Sequence, residues 1–216
     1  MSHPLVIGYH IMWTAYGTWL PNDPRGSTSQ TLRSDPLAEL GEIHFGRKAV
    51  QPPRRDVRQF YEHAAELLKH PTLTFRAEER DTIAAAFSEV IPSESYTCYA
   101  CAVLPDHVHL LIRKHKHPAE VMAQNLMRAS RDKLIACDRR APDHPVWTAG
   151  DGWNVFLEHP DDIRRVIGYI ERNPIKVGLP EQRWPFVVPY DDWPLHAGHS
   201  PNSPYAKRLR ELGRYP

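Results

Sequence analysis

The chain has 216 residues and a formal net charge of +1, and charged residues make up 25% of it. This composition indicates a globular protein rather than a disordered or collagen-like chain, and no apolar run approaches the roughly 20 residues that a membrane helix needs. Because the net charge is near zero, binding of nucleic acid would have to depend on local clusters of positive charge. The first residues lack the features of a signal peptide, so we expect a cytoplasmic monomer or homodimer with no membrane partner.

Hydrophobic periodicity divides most of the chain into short strands and amphipathic helices. In chain order it predicts a strand at 5–13, helices at 58–69 and 77–90, strands at 96–104 and 107–113, a helix at 118–137, a strand at 153–157 and a helix at 161–173. This order predicts an α+β fold, namely a ferredoxin-like βαββαβ antiparallel sheet with an added C-terminal helix.

Prolines are concentrated outside this periodic pattern. We expect residues 1–184 to form one domain with a long irregular insertion at about 21–56, which begins with the turn-forming residues Asn22 to Gly26. Residues 185–216 are expected to form a tail that wraps the domain or is partly disordered.

Cys98 and Cys101 form a C-x-x-C sequence within the second predicted strand. Residues three positions apart on a regular strand point to opposite faces, and the chain has no second pair of cysteines. A zinc or redox site is therefore the weaker interpretation of these two residues.

His107 and His109 are expected to share one face of the third predicted strand, while Val108 and Leu110 anchor the other face. Two imidazoles on one face are able to hold a single cation. The spacing alone leaves open the alternative of two histidines on a solvated surface. A second pair, His115-Lys116-His117, runs directly into a proline and is predicted to be a solvated loop.

The last predicted helix has an apolar stripe at helical spacing, formed by Ile163, Val166, Ile167 and Ile170. Tyr169 falls at the edge of this stripe, and Asn173 follows one turn later. The flank beyond Tyr169 carries the cationic residues Arg165, Arg172 and Lys176. A tyrosine hydroxyl close to cations suits a phosphate, although a tyrosine at a core boundary is in itself ordinary.

Two segments carry a family resemblance. Residues 104–111, LPDHVHLL, resemble the His-hydrophobic-His (HUH) signature, and residues 169–179, YIERNPIKVGL, resemble the tyrosine helix of the REP-associated tyrosine transposases, which are related to the smallest insertion-sequence transposases. Tyr9-His10, residues 13–21 and residues 156–159 also look like segments of that group. The resemblance covers most of the chain apart from residues 21–56 and the tail.

The resemblance implies a divalent metal and cleavage of single-stranded DNA near a hairpin, with strand transfer through a 5′-phosphotyrosine. On this sequence it implies that His107 and His109 are metal ligands, that Asn173 is a third ligand and that Tyr169 is the nucleophile. Such a mixed nitrogen and oxygen site suits Mg²⁺ or Mn²⁺.

The expected partner is single-stranded or hairpin DNA, with repetitive palindromic elements as the implied target. Residues expected to contact phosphates are Arg128, Arg131, Arg165, Arg172 and Lys176, and those able to stack on unpaired bases are Trp13, Trp19, Trp147 and Trp153. A hairpin-binding protein that has lost catalysis is the alternative, and the presence of both histidines and the tyrosine argues against it.

Overall fold

A computed structural model describes residues 5–27, 39–150, 152–194 and 202–211. One antiparallel sheet, in the order β2-β3-β1-β4, contains β1 (Gly8–Thr14), β2 (Cys98–Val103), β3 (His107–Arg113) and β4 (Trp153–Leu157). The helices are α1 (Arg54–Leu67), α2 (Ala77–Ser93), α3 (Ala119–Ala136), α4 (Pro160–Lys176) and α5 (Pro204–Glu211). The element order and the strand order confirm the predicted ferredoxin-like α+β fold with an added helix.

The two faces of the sheet pack on different helices. On one face, alternate residues of the two central strands, such as Ile11 and Leu110, join α2 and α3 in the larger hydrophobic core. On the other face, Leu111 and Leu157 pack with Ile163 and other apolar residues of α4. The sheet is therefore an inner layer, and α4 lies on the opposite side of it from α3.

The alternation of β3 decides which face carries its histidines. Val108 and Leu110 are fully buried in the larger core, so His107 and His109 point to the face that α4 covers in part. In the antiparallel ladders, His109 lies opposite Met12 of β1 and opposite Ala102 of β2. His107 and His109 therefore share one face of the strand, as the sequence predicts, and that face continues onto the neighbouring strands.

The prediction that Cys98 and Cys101 point to opposite faces is wrong. An irregularity between Cys98 and Ala100 shifts the pairing, so that Cys98 lies opposite Ile112 and Cys101 lies opposite Leu110. The extra residue of a β-bulge breaks the two-residue alternation, and both cysteines enter the larger core. Both are free and buried, and burial raises the pKa of Cys98 to about 12. At neutral pH both remain thiols, which disfavours metal and redox chemistry.

Parts of the predicted insertion and tail, residues 28–38, 195–201 and 212–216, lie outside the described residues. In the described part of the tail, Phe186 is buried in the larger core, and Trp193 packs against the cluster beneath α4.

None of the helices in the described part of the chain is long and apolar enough to cross a membrane.

Candidate active site

His107 and His109 lie side by side, with ring centroids 4.8 Å apart. His107 Nδ1 is 2.6 Å from a carboxylate oxygen of Asp106, and His109 Nδ1 is 2.9 Å from Nε2 of His10. Each Nδ1 is therefore engaged by a neighbour, and across the described ranges no hydrogen bond is formed by either Nε2. Histidines that bind metals usually have this arrangement, in which a second residue holds the ring nitrogen that does not face the metal.

His10, on β1, has no predicted role in the sequence, but the structure brings it into the site. Burial lowers the pKa of His10 to about 4, and burial together with neighbouring His107, His10 and Lys176 lowers the pKa of His109 to about 2. Both rings are thus neutral near pH 7, so a single N–H lies between them. When His109 donates it, His109 Nε2 keeps a lone pair that is available to a cation.

Tyr169, on α4, lies next to His109 and His10. Its ring centroid is 5.6 Å from that of His109 and 6.0 Å from that of His10. The ammonium of Lys176 lies 4.8 Å from the centre of the tyrosine ring. Tyr169 is 44% exposed while its neighbour Ile170 is fully buried, so the predicted position at the edge of the apolar stripe is confirmed.

Local sequence explains where α4 begins. Pro160 occupies the first turn, and the side chain of His159 accepts a hydrogen bond from the backbone N–H of Asp161 at 3.2 Å. A proline without a backbone N–H is suited to this position. The helix start thereby sets the register that places Tyr169 at the edge of the sheet face.

Asn173 lies one turn beyond Tyr169 and is only 7% exposed. Its amide nitrogen is buried without a hydrogen-bond partner in the described part of the protein, which is costly unless another group satisfies the amide. No group of three His, Cys, Asp or Glu side chains among the described residues is arranged to hold a metal ion. That Asn173 joins His107 and His109 in holding a cation, through its amide oxygen, stays a prediction.

The predicted phosphate-binding residues divide between two layers. Arg165, Arg172 and Lys176 are exposed on α4, where Arg165 also pairs with Asp162 at 2.8 Å. Arg128 and Arg131 are on α3, on the opposite side of the sheet. The structure thus brings Lys176 to Tyr169 and separates the two α3 arginines from it. DNA contact by all of these residues stays a prediction.

The second histidine pair, His115 and His117, lies on the loop after β3, as predicted. The two rings are half-buried against Tyr96 rather than solvated, and the hydroxyl of Tyr96 is 3.0 Å from Nδ1 of His117. The two histidines are not solvated because the ring of Tyr96, two residues before β2 begins, packs against them.

No family model matches the chain, and no curated protein matches it. Among solved structures it is similar to a REP-associated tyrosine transposase bound to a REP hairpin, at 15% identity and a TM-score of 0.44 over 100% of this chain and 87% of that one. It is also similar to a candidate transposase from Deinococcus radiodurans R1, at 14% identity and a TM-score of 0.38 over 80% of this chain and 94% of that one. Similarities this distant leave the functional argument to the side chains of the site.

Proposed function

We propose that this protein is a metal-dependent, single-stranded DNA endonuclease and strand transferase that forms a 5′-phosphotyrosine at Tyr169 near DNA hairpins. The observation that carries the proposal is the meeting of an exposed tyrosine, a pair of oriented histidines and a lysine. Tyr169 approaches His109 to 5.6 Å between ring centroids, and Lys176 lies 4.8 Å from the tyrosine ring. A nucleophile, a cation site and a positive charge are the groups that transfer of a phosphoryl group requires.

His107, His109 and Asn173 are the residues that would hold the metal. Their imidazole nitrogens and amide oxygen leave further coordination positions for water and substrate, which suits Mg²⁺ or Mn²⁺. When bound, such an ion withdraws charge from a non-bridging phosphate oxygen and orients the scissile group.

The covalent step follows from the chemistry of the phenol. The hydroxyl oxygen of Tyr169 bonds to phosphorus, the bond from phosphorus to the 3′ oxygen breaks, and the phenolic proton passes to water. The departing 3′ oxygen takes a proton from water and becomes a free hydroxyl. The 5′ phosphate stays on the tyrosine, so attack by another 3′ hydroxyl reverses the step and rejoins DNA without ATP. Lys176 attracts the anionic phosphate to the tyrosine.

The test is incubation with a hairpin that has a single-stranded flank, in Mn²⁺, followed by denaturing electrophoresis. We expect a covalent protein–DNA band that contains a label at the 3′ end of the DNA and lacks a label at its 5′ end, because the 5′ phosphate is retained. A blunt duplex of equal length is the control and should give no band, since a continuous duplex is stiff and buries its bases. Binding without any band would favour the silent hairpin-binding alternative, and a band with only the 5′ label would contradict the polarity.

His10→Ala should weaken Mn²⁺ binding by about 10- to 100-fold, the usual effect of losing a residue that orients a metal ligand. The reason is the 2.9 Å hydrogen bond that fixes the ring of His109. His10→Gln, whose amide is able to replace that hydrogen bond, should recover part of the affinity. Calorimetric titration measures the Mn²⁺ affinity of the wild type, His10→Ala and His10→Gln. Equal affinities in the wild type and the alanine variant would show that His10 does not orient the site.

A further inference from the structure

The structure separates the tryptophans by their access to a ligand. Trp13 and Trp147 are buried in the larger core, with rings 5.8 Å apart. Trp19 is 42% exposed and Trp153 is 36% exposed. A base is able to stack only on an exposed ring, so the prediction that Trp13 and Trp147 stack on unpaired bases is wrong.

Trp19 is held in an unusual conformation on the loop after β1. Its φ is 53°, a left-handed value that bulky residues rarely adopt and that persists only where the surroundings enforce it. The indole N–H donates to the carbonyl of Gly26 at 3.1 Å. The guanidinium of Arg25 lies 4.2 Å from the centre of the ring. These contacts hold the ring at the surface in one orientation.

The arginine is itself fixed by a buried acid. Asp23 is 1% exposed, and it accepts hydrogen bonds from two guanidinium nitrogens of Arg25 at 2.9 and 2.6 Å. The hydroxyl of Tyr61, on α1, donates to the same carboxylate. The next residue after Trp19, Leu20, is buried against Ala64 of that helix. The ring is therefore preorganised, and a ligand that stacks on it meets little loss of conformational freedom.

The same loop is bonded to the candidate active site. The hydroxyl of Thr18 donates to the carbonyl of Asp106 at 3.2 Å, and the carboxylate of Asp106 holds His107 at 2.6 Å. In the sheet, Thr14 at the end of β1 lies directly opposite His107. Trp19 is thus at the end of the sheet where His107 lies, one residue from a contact with the residue that orients that histidine.

We propose that the exposed face of Trp19 stacks on an unpaired base next to the phosphate that Tyr169 attacks. This inference rests on the proposed function, because the occupant is the single-stranded flank of its substrate. An aromatic ring accepts any base, since every base has a π-face. The subsite fixes the strand against the histidines and contributes to the preference for unpaired DNA, whose bases are accessible.

The test combines a protein variant with abasic DNA. Trp19→Leu retains an apolar side chain of moderate size but no aromatic face, and we expect it to bind the flanked hairpin at least about fivefold more weakly. In the wild type, an abasic nucleotide placed at each position of the flank in turn should produce the same loss at one position. At that position, Trp19→Leu should cause no further loss, because the variant and the abasic DNA lack the same contact.

Two further variants make the outcome specific. Trp19→Phe should bind like the wild type, since phenylalanine restores a stacking face. Phe156→Ala removes an aromatic ring that is more exposed than that of Trp19 but lies against Tyr9, on the face of the sheet opposite His107 and His109. This variant should bind the flanked hairpin like the wild type. Suppose that the wild type binds and cleaves the flanked hairpin, but that Trp19→Leu weakens binding further at every abasic position. The proposed stacking subsite is then wrong, and the proposed function stands. If the wild type binds no flanked hairpin, both are wrong.

Discussion

Tyr169→Phe should give no covalent adduct with the flanked hairpin, a loss of at least about 10³-fold in the rate of adduct formation. The substitution removes the oxygen that would bond to phosphorus and leaves the ring that contacts His109 and His10. Because Tyr169 is exposed and its hydroxyl is not part of the core, we expect the stability of the fold and the affinity for the hairpin to change little. The measurement is the yield of the 3′-labelled protein–DNA band over time.

Tyr16→Phe is a matched control. Tyr16 is half-buried against His70 and His144, and its loss of a hydroxyl should not alter the yield. An adduct that persists in the Tyr169 variant at the level of the wild type would exclude Tyr169 as the nucleophile.

Replacement of either histidine of β3 is the second large effect that we expect. His107→Ala and His109→Ala should each lower Mn²⁺ affinity by about 100-fold or more and remove cleavage, since loss of a direct ligand exceeds the effect of losing a group that orients it. Calorimetry measures the affinity. Thermal melting distinguishes loss of a metal ligand from loss of the fold. We expect His107→Ala to destabilise the fold less than His109→Ala does, because the side chain of His107 is 27% exposed.

His115→Ala and His117→Ala provide the comparison, because they have the same spacing on the loop that follows. Their rings face Tyr96 rather than Tyr169, so neither change should affect Mn²⁺ binding. Unchanged metal affinity in both β3 variants, or an equal loss in both pairs, would remove the assignment of the metal site to His107 and His109.

The bounds of β3 and β4 could be predicted from the sequence, because alternating apolar residues and flanking turn residues are local signals. The edge position of Tyr169 was likewise predictable from the apolar stripe of one helix. The bulge between Cys98 and Ala100 could not be predicted, because the register of a strand depends on the strand with which it pairs. No pattern near Cys98 indicates the extra residue.

Long-range pairing explains what else the sequence did not predict. His10 acquires a role only when β1 pairs with β3 and its ring meets His109. Asp23 and Arg25 lie in an irregular segment without periodicity, so their support of Trp19 appears only in the folded loop. Helical periodicity also places Arg128 on a helix without indicating which side of the sheet that helix covers.

The central position of β1 has a consequence for when the site comes into existence. His10 and His109 are 99 residues apart in the chain, and Tyr169 is on α4, which packs on the sheet about 60 residues further along the chain. Contacts this distant close large loops and form late in folding. During synthesis, which proceeds from the N-terminus, a growing chain has no complete set of these side chains until α4 has left the ribosome. Products of translation that are truncated before α4 should therefore be unable to cut DNA, whatever portion of the sheet they form.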